Sequence, residues 1–467
     1  MIRLTVLYLF LAALFAVALR YWFAALCGLV LLTVFTQHPS MPTNMFGIQG
    51  LNPWNAAFLA VVISWLLHRR YDPPRAPVSP RFVALLSLFL VLVITSGLVA
   101  AFDHDSIQGP AGEKLGFADV LVDTIINPLK YLMVGFLFFD GARTRERAKM
   151  ALATAVGSGL CYAFLLFKTL KGRVFTIDFE DARRMTDKLV GLFANDLAEL
   201  FAFTVWAGLF LLILFPRAWQ RALWLSCVAT VVPPFLALKS RSGFLSFCVI
   251  GAVLGALRWR KILVLLPVAV LVAVMAAPDV RERMLMGVGD QEEETSWDEV
   301  SAGRVTNIWP PVLAQIGRSP VIGHGRLAIL RETCYEEVLE GERYVPSHPH
   351  CSYLEILLDA GLVGLLICLV CSCGLIRIAW LLMRSSDSLG LVLGSCAMAA
   401  AVAELSAGLT GSSFYPSQSS VPYLCIWGCA LAMYTECMAV KRQPTWPVIR
   451  TLKVPGTPVG TWGVVYD

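Results

Sequence analysis

The sequence predicts an all-α membrane protein, a polytopic transmembrane helix bundle of about 12 spans with one large polar loop containing short helices. Three observations predict this fold class. Of the 467 residues, 57% are hydrophobic and 15% are charged, whereas a soluble globular chain is about 25% charged. The mean hydropathy is +0.68, and the apolar residues fall in long runs separated by short charged loops. So much apolar surface excludes a soluble enzyme, a disordered scaffold and an ordinary DNA-binding protein.

The individual spans follow from the length of a membrane helix, which needs about 20 apolar residues and at least about 17. The apolar runs that satisfy or approach this length are 4–19, 21–36, 54–67, 82–101, 118–139, 149–169, 195–215, 222–238, 242–257, 261–277, 353–376, 388–410 and 420–440. The first run resembles a signal peptide, and Ala16-Val17-Ala18 fits a cleavage site, but a second apolar run follows at once, so we expect both to be retained.

The orientation of the spans follows from the Lys and Arg bias of the short loops. Basic clusters predict cytoplasmic loops, and a cytoplasmic C-terminal tail, at 69–81, 143–149, 217–221, 258–261, 377–384 and 441–442. Thirteen crossings would then place the N-terminus outside. We therefore expect an even number of spans near twelve. Either two of these runs form a single span, or the first two segments do not both cross the membrane.

The large polar loop divides the chain into four parts. These are N-terminal transmembrane helices 1–277, a loop 278–352 on the outer side, C-terminal transmembrane helices 353–440 and a cytoplasmic tail 441–467. The loop holds 13 of the 33 acidic residues, including the tract Asp290–Glu294, and has helical patterns at 304–317 and Glu332–Leu339. A loop of this length between membrane helices usually carries function.

Three features of the polar loop can carry chemistry. Arg304 is a permanent cation that can bind a phosphate through two hydrogen bonds. Gly323 and Gly325 allow the backbone to approach a ligand closely, although a Gly-x-Gly pattern alone is a weak signal. His350 precedes a membrane helix, and because a histidine titrates near neutral pH it suits proton transfer from a hydroxyl. His348 is either a partner of His350 or an exposed loop histidine.

Basic residues outside this loop suggest a second anion-binding element. Arg241 interrupts apolar sequence at a predicted outer helix boundary, where it is either a phosphate ligand or a side chain that snorkels to lipid headgroups. Arg183 and Arg184 lie in a basic outer loop, contrary to the usual charge bias, and this departure suggests attraction of an anionic ligand.

The cysteines predict no metal site. Most of the thirteen lie in apolar runs, where a thiol usually acts as a small hydrophobe, and none has the four-ligand spacing that zinc requires. Cys334 and Cys351 are the two cysteines of the polar loop. They form a disulfide if the loop faces an oxidising compartment, or remain two free thiols.

The order of these residues resembles the signature of the bacterial O-antigen ligase and polymerase superfamily. The match is good over about 190–376 and includes Ser240-Arg241 and Asn195-Asp196 upstream of the loop. The loop residues that carry it are Arg304, Trp309, Pro320, Gly323, Gly325, His350, Tyr353, Leu354, Gly361 and Gly364. One departure is Cys351, because the family usually has Asn after the His.

The resemblance implies a GT-C-like membrane glycosyltransferase whose active site faces the periplasm at the bacterial inner membrane. The implied reaction is an inverting transfer of a glycan from undecaprenyl pyrophosphate to an acceptor hydroxyl, with no cofactor, metal or nucleic acid. His350 is then the expected base, and Arg304 and Arg241 bind pyrophosphate. The residues expected to bind substrate are His348, Tyr353, Arg183, Arg184, Gly323 and Gly325.

The acceptor distinguishes the branches of this superfamily. It is lipid A–core for a ligase of lipopolysaccharide biosynthesis, a growing glycan for a polymerase, and a protein Ser or Thr for a protein O-glycosylation ligase. The paired N-terminal segments joined by Ala18-Leu19-Arg20 are similar to an exopolysaccharide or protein-glycosylation branch. A polysaccharide transporter is the alternative from another class. Transporters often have inverted repeats and charges at the bilayer midplane, whereas this chain has no detectable repeat and concentrates its acids in one outer loop.

Overall fold

The computed structural model describes most of the chain. The described residues are 2–36, 38–39, 41–45, 47–48, 50–72, 78–109, 112–170, 177–276, 278–285, 301, 303–341, 345–411 and 414–442. Within these ranges the regular structure is helical apart from isolated β-bridges, which confirms the all-α prediction. The acidic tract Asp290–Glu294 and most of the predicted tail lie outside the described residues.

Every predicted span coincides with helical structure. The helices before the polar loop are α1 (Ile2–Ala18), α2 (Trp22–Thr33), α3 (Pro53–His68), α4 (Pro80–Phe102), α5 (Phe117–Leu121), α6 (Asn127–Gly141), α7 (Arg145–Thr169), α8 (Phe179–Leu189), α9 (Ala194–Leu211), α10 (Ala218–Ala229), α11 (Val232–Ala237), α12 (Arg241–Leu257) and α13 (Lys261–Ala276). A π-helical turn (Val122–Ile126) joins α5 to α6. The loop and C-terminal region contain α14 (Pro278–Leu285), a π-helical turn (Arg304–Ile308), α15 (Trp309–Arg318), α16 (Glu332–Gly341), α17 (Ser352–Met383), α18 (Ser388–Ala407) and α19 (Val421–Arg442).

Six helical stretches of the described chain are long and apolar enough to cross a membrane. They are Pro80–Phe102, Phe117–Gly141, Arg145–Thr169, Ala194–Leu214, Ser352–Met383 and Ser388–Ala407. The protein is therefore an all-α membrane protein, and the total of about 12 spans stays a prediction.

Two predicted spans differ from the observed helices. The apolar run 222–238 is two helices, α10 and α11, because Pro233 and Pro234 lack the N–H groups that would continue the first helix and their rings clash with the preceding turn. The run 353–376 continues to Met383 and bends at Gly361, whose φ of 63° and ψ of −164° are not helical.

The bundle is built around α18, which is buried along nearly its whole length. It packs against α9, α12, α17 and α19, and its many Gly, Ala and Ser residues let these neighbours approach closely. By contrast α13 leaves Val264, Leu265 and Val268 exposed, as expected of a helix that faces lipid.

The two ends of α18 mark two different sides of the molecule, about 30 Å apart for a helix of this length. Near its start, Asp387 accepts a hydrogen bond from Arg145 at 2.7 Å. Beyond its other end, the carbonyl of Gly408 accepts from the amide of Ser352 at 2.7 Å. The basic loop 143–149 therefore lies at one end, and the polar loop lies at the other.

The polar loop has a small hydrophobic core of its own. Ile308 and Val312 pack with Leu330 and Val338, and this cluster contacts the end of α4 through Ala100. Cys334 is buried in the same cluster, and both Cys334 and Cys351 are free thiols, so the disulfide alternative is wrong for this structure. The loop is thus a packed unit that can fix side chains at its end of the bundle.

Candidate active site

Several helix ends meet at the polar end of the bundle. The N-termini of α9 and α12 are joined by a hydrogen bond of 2.9 Å from the Ser240 hydroxyl to Asn195 Oδ1. The first turn of α17 is joined to the segment after α18, where the Ser352 hydroxyl donates to the Gly411 carbonyl at 2.8 Å. The loop of 345–351 enters this junction immediately before α17.

A pair of histidines occupies this loop. The backbone N–H of His350 donates to Nδ1 of His348 at 3.1 Å, and the two ring centroids are 4.4 Å apart. Because His348 accepts at Nδ1, its neutral ring carries the proton on Nε2. The indole N–H of Trp309 donates to the Pro349 carbonyl at 3.1 Å and fixes the loop between the two rings.

The backbone of His350 is strained. Its φ of 53° lies in the left-handed region, which costs a non-glycine residue about 1–2 kcal/mol. Such strain persists only where the surroundings fix the conformation, and it is found preferentially at functional positions.

Burial and neighbouring cations keep the His350 imidazole neutral. Burial is the largest cause, and His348, Arg304 and Arg183 add to it, so that the pKa of His350 falls to about 3. Burial also lowers the pKa of His348, with a further contribution from Arg304. Both rings are therefore unprotonated at neutral pH, with lone pairs able to accept a proton.

Arg304 forms no ion pair among the described residues and donates instead to the carbonyl of Thr410, at 3.4 Å. Burial and the nearby Arg183 lower the pKa of Arg304. Burial likewise lowers the pKa of Arg183. Two half-buried guanidinium groups that repel each other favour an anion between or beside them.

Arg241 joins this group indirectly. Its Nε donates to the carbonyl of Arg283 at 2.9 Å. The guanidinium of Arg283 lies 4.2 Å from the centre of the Phe179 ring, and that of Arg183 lies 5.1 Å from the same ring. Arg184 is exposed on α8 and pairs with Asp181 at 3.6 Å, and its role in substrate binding stays a prediction.

Packing accounts for the two loop glycines. A Cβ on Gly323 would lie 2.4 Å from the backbone nitrogen of Ala360, and one on Gly325 would lie 2.6 Å from a methyl group of Val99. The amide of Gly325 donates to the carbonyl of Asp359 at 2.7 Å. Both glycines thus allow the backbone to lie close to α17 and α4, and their role in substrate binding stays a prediction.

Tyr353 also has a packing partner. Its hydroxyl donates to the Leu405 carbonyl at 2.8 Å, and its ring meets Phe414 edge-on at 4.9 Å. These contacts join α17 to the end of α18, so the role of Tyr353 in substrate binding stays a prediction.

The comparison with protein families identifies the region that holds these residues. Residues 234–369 match the family model described as O-antigen ligase. This segment is similar to the O-antigen ligase family and is called the O-antigen ligase segment below. The resemblance predicted from the sequence is confirmed, and no curated protein matches the chain. The O-antigen ligase segment runs from α11 into α17 and contains Arg241, Arg304 and both histidines, whereas Arg183 lies before it.

A buried carboxylate that sequence reasoning left out of the site lies beside the O-antigen ligase segment. Glu199 on α9 is 4% exposed, and its Oε1 accepts from the hydroxyl of Thr410 at 3.3 Å. The carbonyl of the same Thr410 accepts from Arg304. Glu199 also accepts a hydrogen bond from Ser242, the neighbour of Arg241. Its signal in the sequence was a carboxylate inside an apolar helix, which is by default a functional position.

A second missed group lies inside the O-antigen ligase segment. Arg326 is buried and forms ion pairs with Glu355 at 2.8 Å and with Asp359 at 3.0 Å.

As for metals, no three His, Cys, Asp or Glu side chains of the described chain lie close enough to hold an ion.

Proposed function

We propose that the protein is an O-antigen ligase-like glycosyltransferase of the bacterial inner membrane that moves a glycan from undecaprenyl pyrophosphate to an acceptor hydroxyl at the periplasmic face. The single observation that carries the proposal is a neutral imidazole, that of His350, beside Arg304 and Arg183 at the polar end of a membrane bundle. Lipid A–core is the proposed acceptor, as in a ligase.

Arg304 is proposed to bind the pyrophosphate with Arg241 and Arg183. Breaking the bond between the sugar and the pyrophosphate develops negative charge on the leaving group. Preorganised cations stabilise such charge without reorganising during the reaction. In this proposal no metal ion is needed, because permanent guanidinium charges take its place.

His350 is proposed as the general base. The acceptor hydroxyl attacks the anomeric carbon from the face opposite the pyrophosphate, its proton passes to the imidazole, and the lipid pyrophosphate leaves, so that the configuration inverts. A positioned base contributes about 10²–10⁴-fold to such a step. The fixed tautomer of His348 supports a role in orienting the reacting groups, since its Nε2–H is a donor.

A low pKa makes His350 a poor base in the free protein, and donor binding is proposed to correct this. Arg304 and Arg183 are among the groups that lower the pKa. A bound pyrophosphate brings negative charge to the same guanidinium groups and thereby raises the pKa of the imidazole towards neutrality.

Transfer in a purified system tests the proposal. The protein in nanodiscs is given a glycan on undecaprenyl pyrophosphate and lipid A–core, and the glycosylated lipid is measured. We expect His350→Ala to abolish transfer and the control His104→Ala, at a half-buried histidine outside this site, to retain it. Undiminished transfer by His350→Ala would contradict the mechanism.

The glycans of a deletion strain test the branch of the superfamily. Full-length glycan left on the prenyl carrier supports the ligase. Unpolymerised repeat units on the carrier would instead mean a polymerase, and loss of protein glycans a protein ligase.

A further inference from the structure

A buried ionic triad includes two residues in the first turns of α17, the helix that follows His350. One guanidinium nitrogen of Arg326 donates to Glu355 Oε1 at 2.8 Å and to Asp359 Oδ2 at 3.0 Å. The side chains of Arg326, Glu355 and Asp359 are 12%, 8% and 3% exposed, respectively. The guanidinium carbon also lies 3.5 Å from the centre of the Tyr415 ring. Arg326, Glu355 and Asp359 are called the triad below, and Tyr415 covers one face of its guanidinium group.

The triad connects three separate parts of the chain. Arg326 belongs to the connection between α15 and α16, while Glu355 and Asp359 are one helical turn apart on α17. Tyr415 follows the segment whose Thr410 carbonyl accepts from Arg304. The triad therefore connects α17, which follows the histidine loop, with the segment that holds the Thr410 partner of Arg304.

Backbone hydrogen bonds hold Arg326 in place on either side. Its own amide donates to the carbonyl of Ser96 at 2.9 Å, and the amide of Gly325 donates to the carbonyl of Asp359 at 2.7 Å. The other oxygen of Asp359 accepts from the amide of Ala328 at 3.3 Å. The backbone of Arg326 is thus held in place, and its guanidinium group can fix the position of α17.

The first turns of α17 lead directly to the histidine loop. The amide of Glu355 donates to the carbonyl of Cys351 at 2.9 Å, and Cys351 is the neighbour of His350. Any rotation or sliding of this turn moves the strained backbone of His350 with it.

Burying this triad costs more free energy than a neutral core of the same shape would, so stability alone does not explain it. Two carboxylates one turn apart repel each other, and a single cation must offset both in a buried place. Replacing a buried ion cluster by neutral residues of similar shape is often neutral or stabilising. Here one nitrogen of a planar guanidinium that lies against the Tyr415 ring binds both carboxylates, which fixes the geometry of the three side chains. This contrast favours a role in geometry.

We propose that Arg326 is a positioning residue of the transfer reaction, which through Glu355 and Asp359 holds the first turns of α17 so that His350 lies beside Arg304. This inference rests on the proposed function for the reaction that it serves. Arg326 acts through the helix and touches no reacting atom.

Glu355 gives the triad a second, electrostatic link to the site. Burial is the main reason that the pKa of His348 is lowered, and the negative charge of Glu355 opposes this effect while Arg326 adds to it. Pairing Glu355 with Arg326 thus limits the field that the carboxylate exerts on the histidine pair.

The test separates geometry from charge compensation. The neutral variant Arg326→Met/Glu355→Gln/Asp359→Asn removes all three buried charges together, and Arg326→Lys keeps the charge but loses the planar group that lies against the Tyr415 ring. The matched control Arg318→Met/Glu337→Gln removes an exposed pair of the same loop, joined at 3.0 Å. All are assayed at saturating and limiting donor.

We expect the neutral variant to accumulate in the membrane with kcat reduced about 100-fold, because a displacement of about 1 Å in a catalytic group costs this much. KM for the donor should stay within about twofold, since the arginines that bind pyrophosphate are retained. Arg326→Lys should show an intermediate loss, and the control none. A wild-type kcat in the neutral variant would overturn the inference, and if that variant does not accumulate, a wild-type kcat in Arg326→Lys would do so.

Hydrogen exchange provides a readout that does not depend on the activity. We expect amides of 347–358 to exchange faster in the neutral variant, and in Arg326→Lys, while those of 194–205 on α9 are unchanged. Unchanged exchange at 347–358 overturns the positioning role. Absence of transfer by the wild-type protein would count against the proposed function alone.

Discussion

At the scale of single residues, His350 combines a strained backbone with a weakly basic ring. The strain indicates that its position is imposed by the loop, and the low pKa results first from burial, with the neighbouring His348, Arg304 and Arg183 adding to it. Both properties suit a group that becomes basic only when an anionic substrate arrives.

The first prediction concerns pH. The pKa of His350 is lowered to about 3 in the free protein, so the ring is neutral above this value and protonates only below it. Since kcat/KM reports the free enzyme, we expect it to show no loss from His350 between about pH 8 and pH 5. Since kcat reports the donor complex, in which the pKa is higher, kcat should already fall in this range.

Rate profiles of both constants over this range provide the measurement. Arg183→Met removes one cation and should move the acidic fall of kcat/KM to higher pH. Acidic limbs that coincide near pH 6.5 for both constants in the wild-type protein would show that the cations do not control His350.

The second prediction concerns Thr410, whose hydroxyl donates to Glu199 while its carbonyl accepts from Arg304. Thr410→Val keeps the shape but leaves the buried carboxylate without this donor, a penalty of about 1–3 kcal/mol. We expect about tenfold slower transfer from Thr410→Val because the Arg304 contact shifts. Thr410→Ser retains the hydroxyl and should stay near wild type; equal losses in both variants would refute the role of this hydrogen bond.

At the scale of elements, α17 depends on one glycine. Gly361 has backbone angles that are essentially restricted to glycine, and a Cβ there would lie 2.3 Å from the carbonyl group of Val321. The amides of Leu362 and Val363 donate to the carbonyls of Pro320 and Val321 across this kink. The kink therefore docks the polar loop onto the helix.

The third prediction follows from this contact. Gly361→Ala should destabilise the protein by about 1–3 kcal/mol from backbone strain, with more from the clash. Gly374→Ala in the same helix is the matched control, because nothing lies within 4 Å of its added Cβ. Thermal unfolding in nanodiscs should show a midpoint several degrees lower for the first variant alone. Equal midpoints would mean that the kink is dispensable.

The sequence predicts elements better than contacts. Long apolar runs and the pair Pro233-Pro234 define helices locally. The run 222–238 has the length of one membrane helix, however, so its length alone does not reveal the break between α10 and α11. The hydrogen bond between Glu199 and Thr410 joins residues 211 positions apart, and no local pattern encodes such a partner. For the same reason the sequence does not reveal that Gly323 packs against Ala360, which lies in a later helix.

At the scale of the whole molecule, charge divides the bundle into two sides. Arg147 pairs with Asp72 at 2.8 Å among the basic loops, and the O-antigen ligase segment holds its histidines at the other end. This separation agrees with the sidedness that the Lys and Arg bias predicts.

The fourth prediction tests the sidedness in cells. In a cysteine-free background, Glu180→Cys places a thiol on exposed α8 at the active-site end, and Arg217→Cys places one on the opposite, exposed end after α9. A membrane-impermeant maleimide should label the first in intact spheroplasts and the second only after permeabilisation. The reverse pattern would contradict a periplasmic active site.

The central place of α18 has a consequence for biosynthesis. Ser406 on this helix shares a hydrogen bond of 2.7 Å with Ser246 on α12, and Cys396 donates to the carbonyl of Ala207 on α9. Because α18 is synthesised after both partners, α9 and α12 are made before these two hydrogen bonds to α18 can form. A chain that ends before Ser388 therefore lacks the helix against which α9 and α12 pack, and its earlier helices should form a less tightly packed bundle.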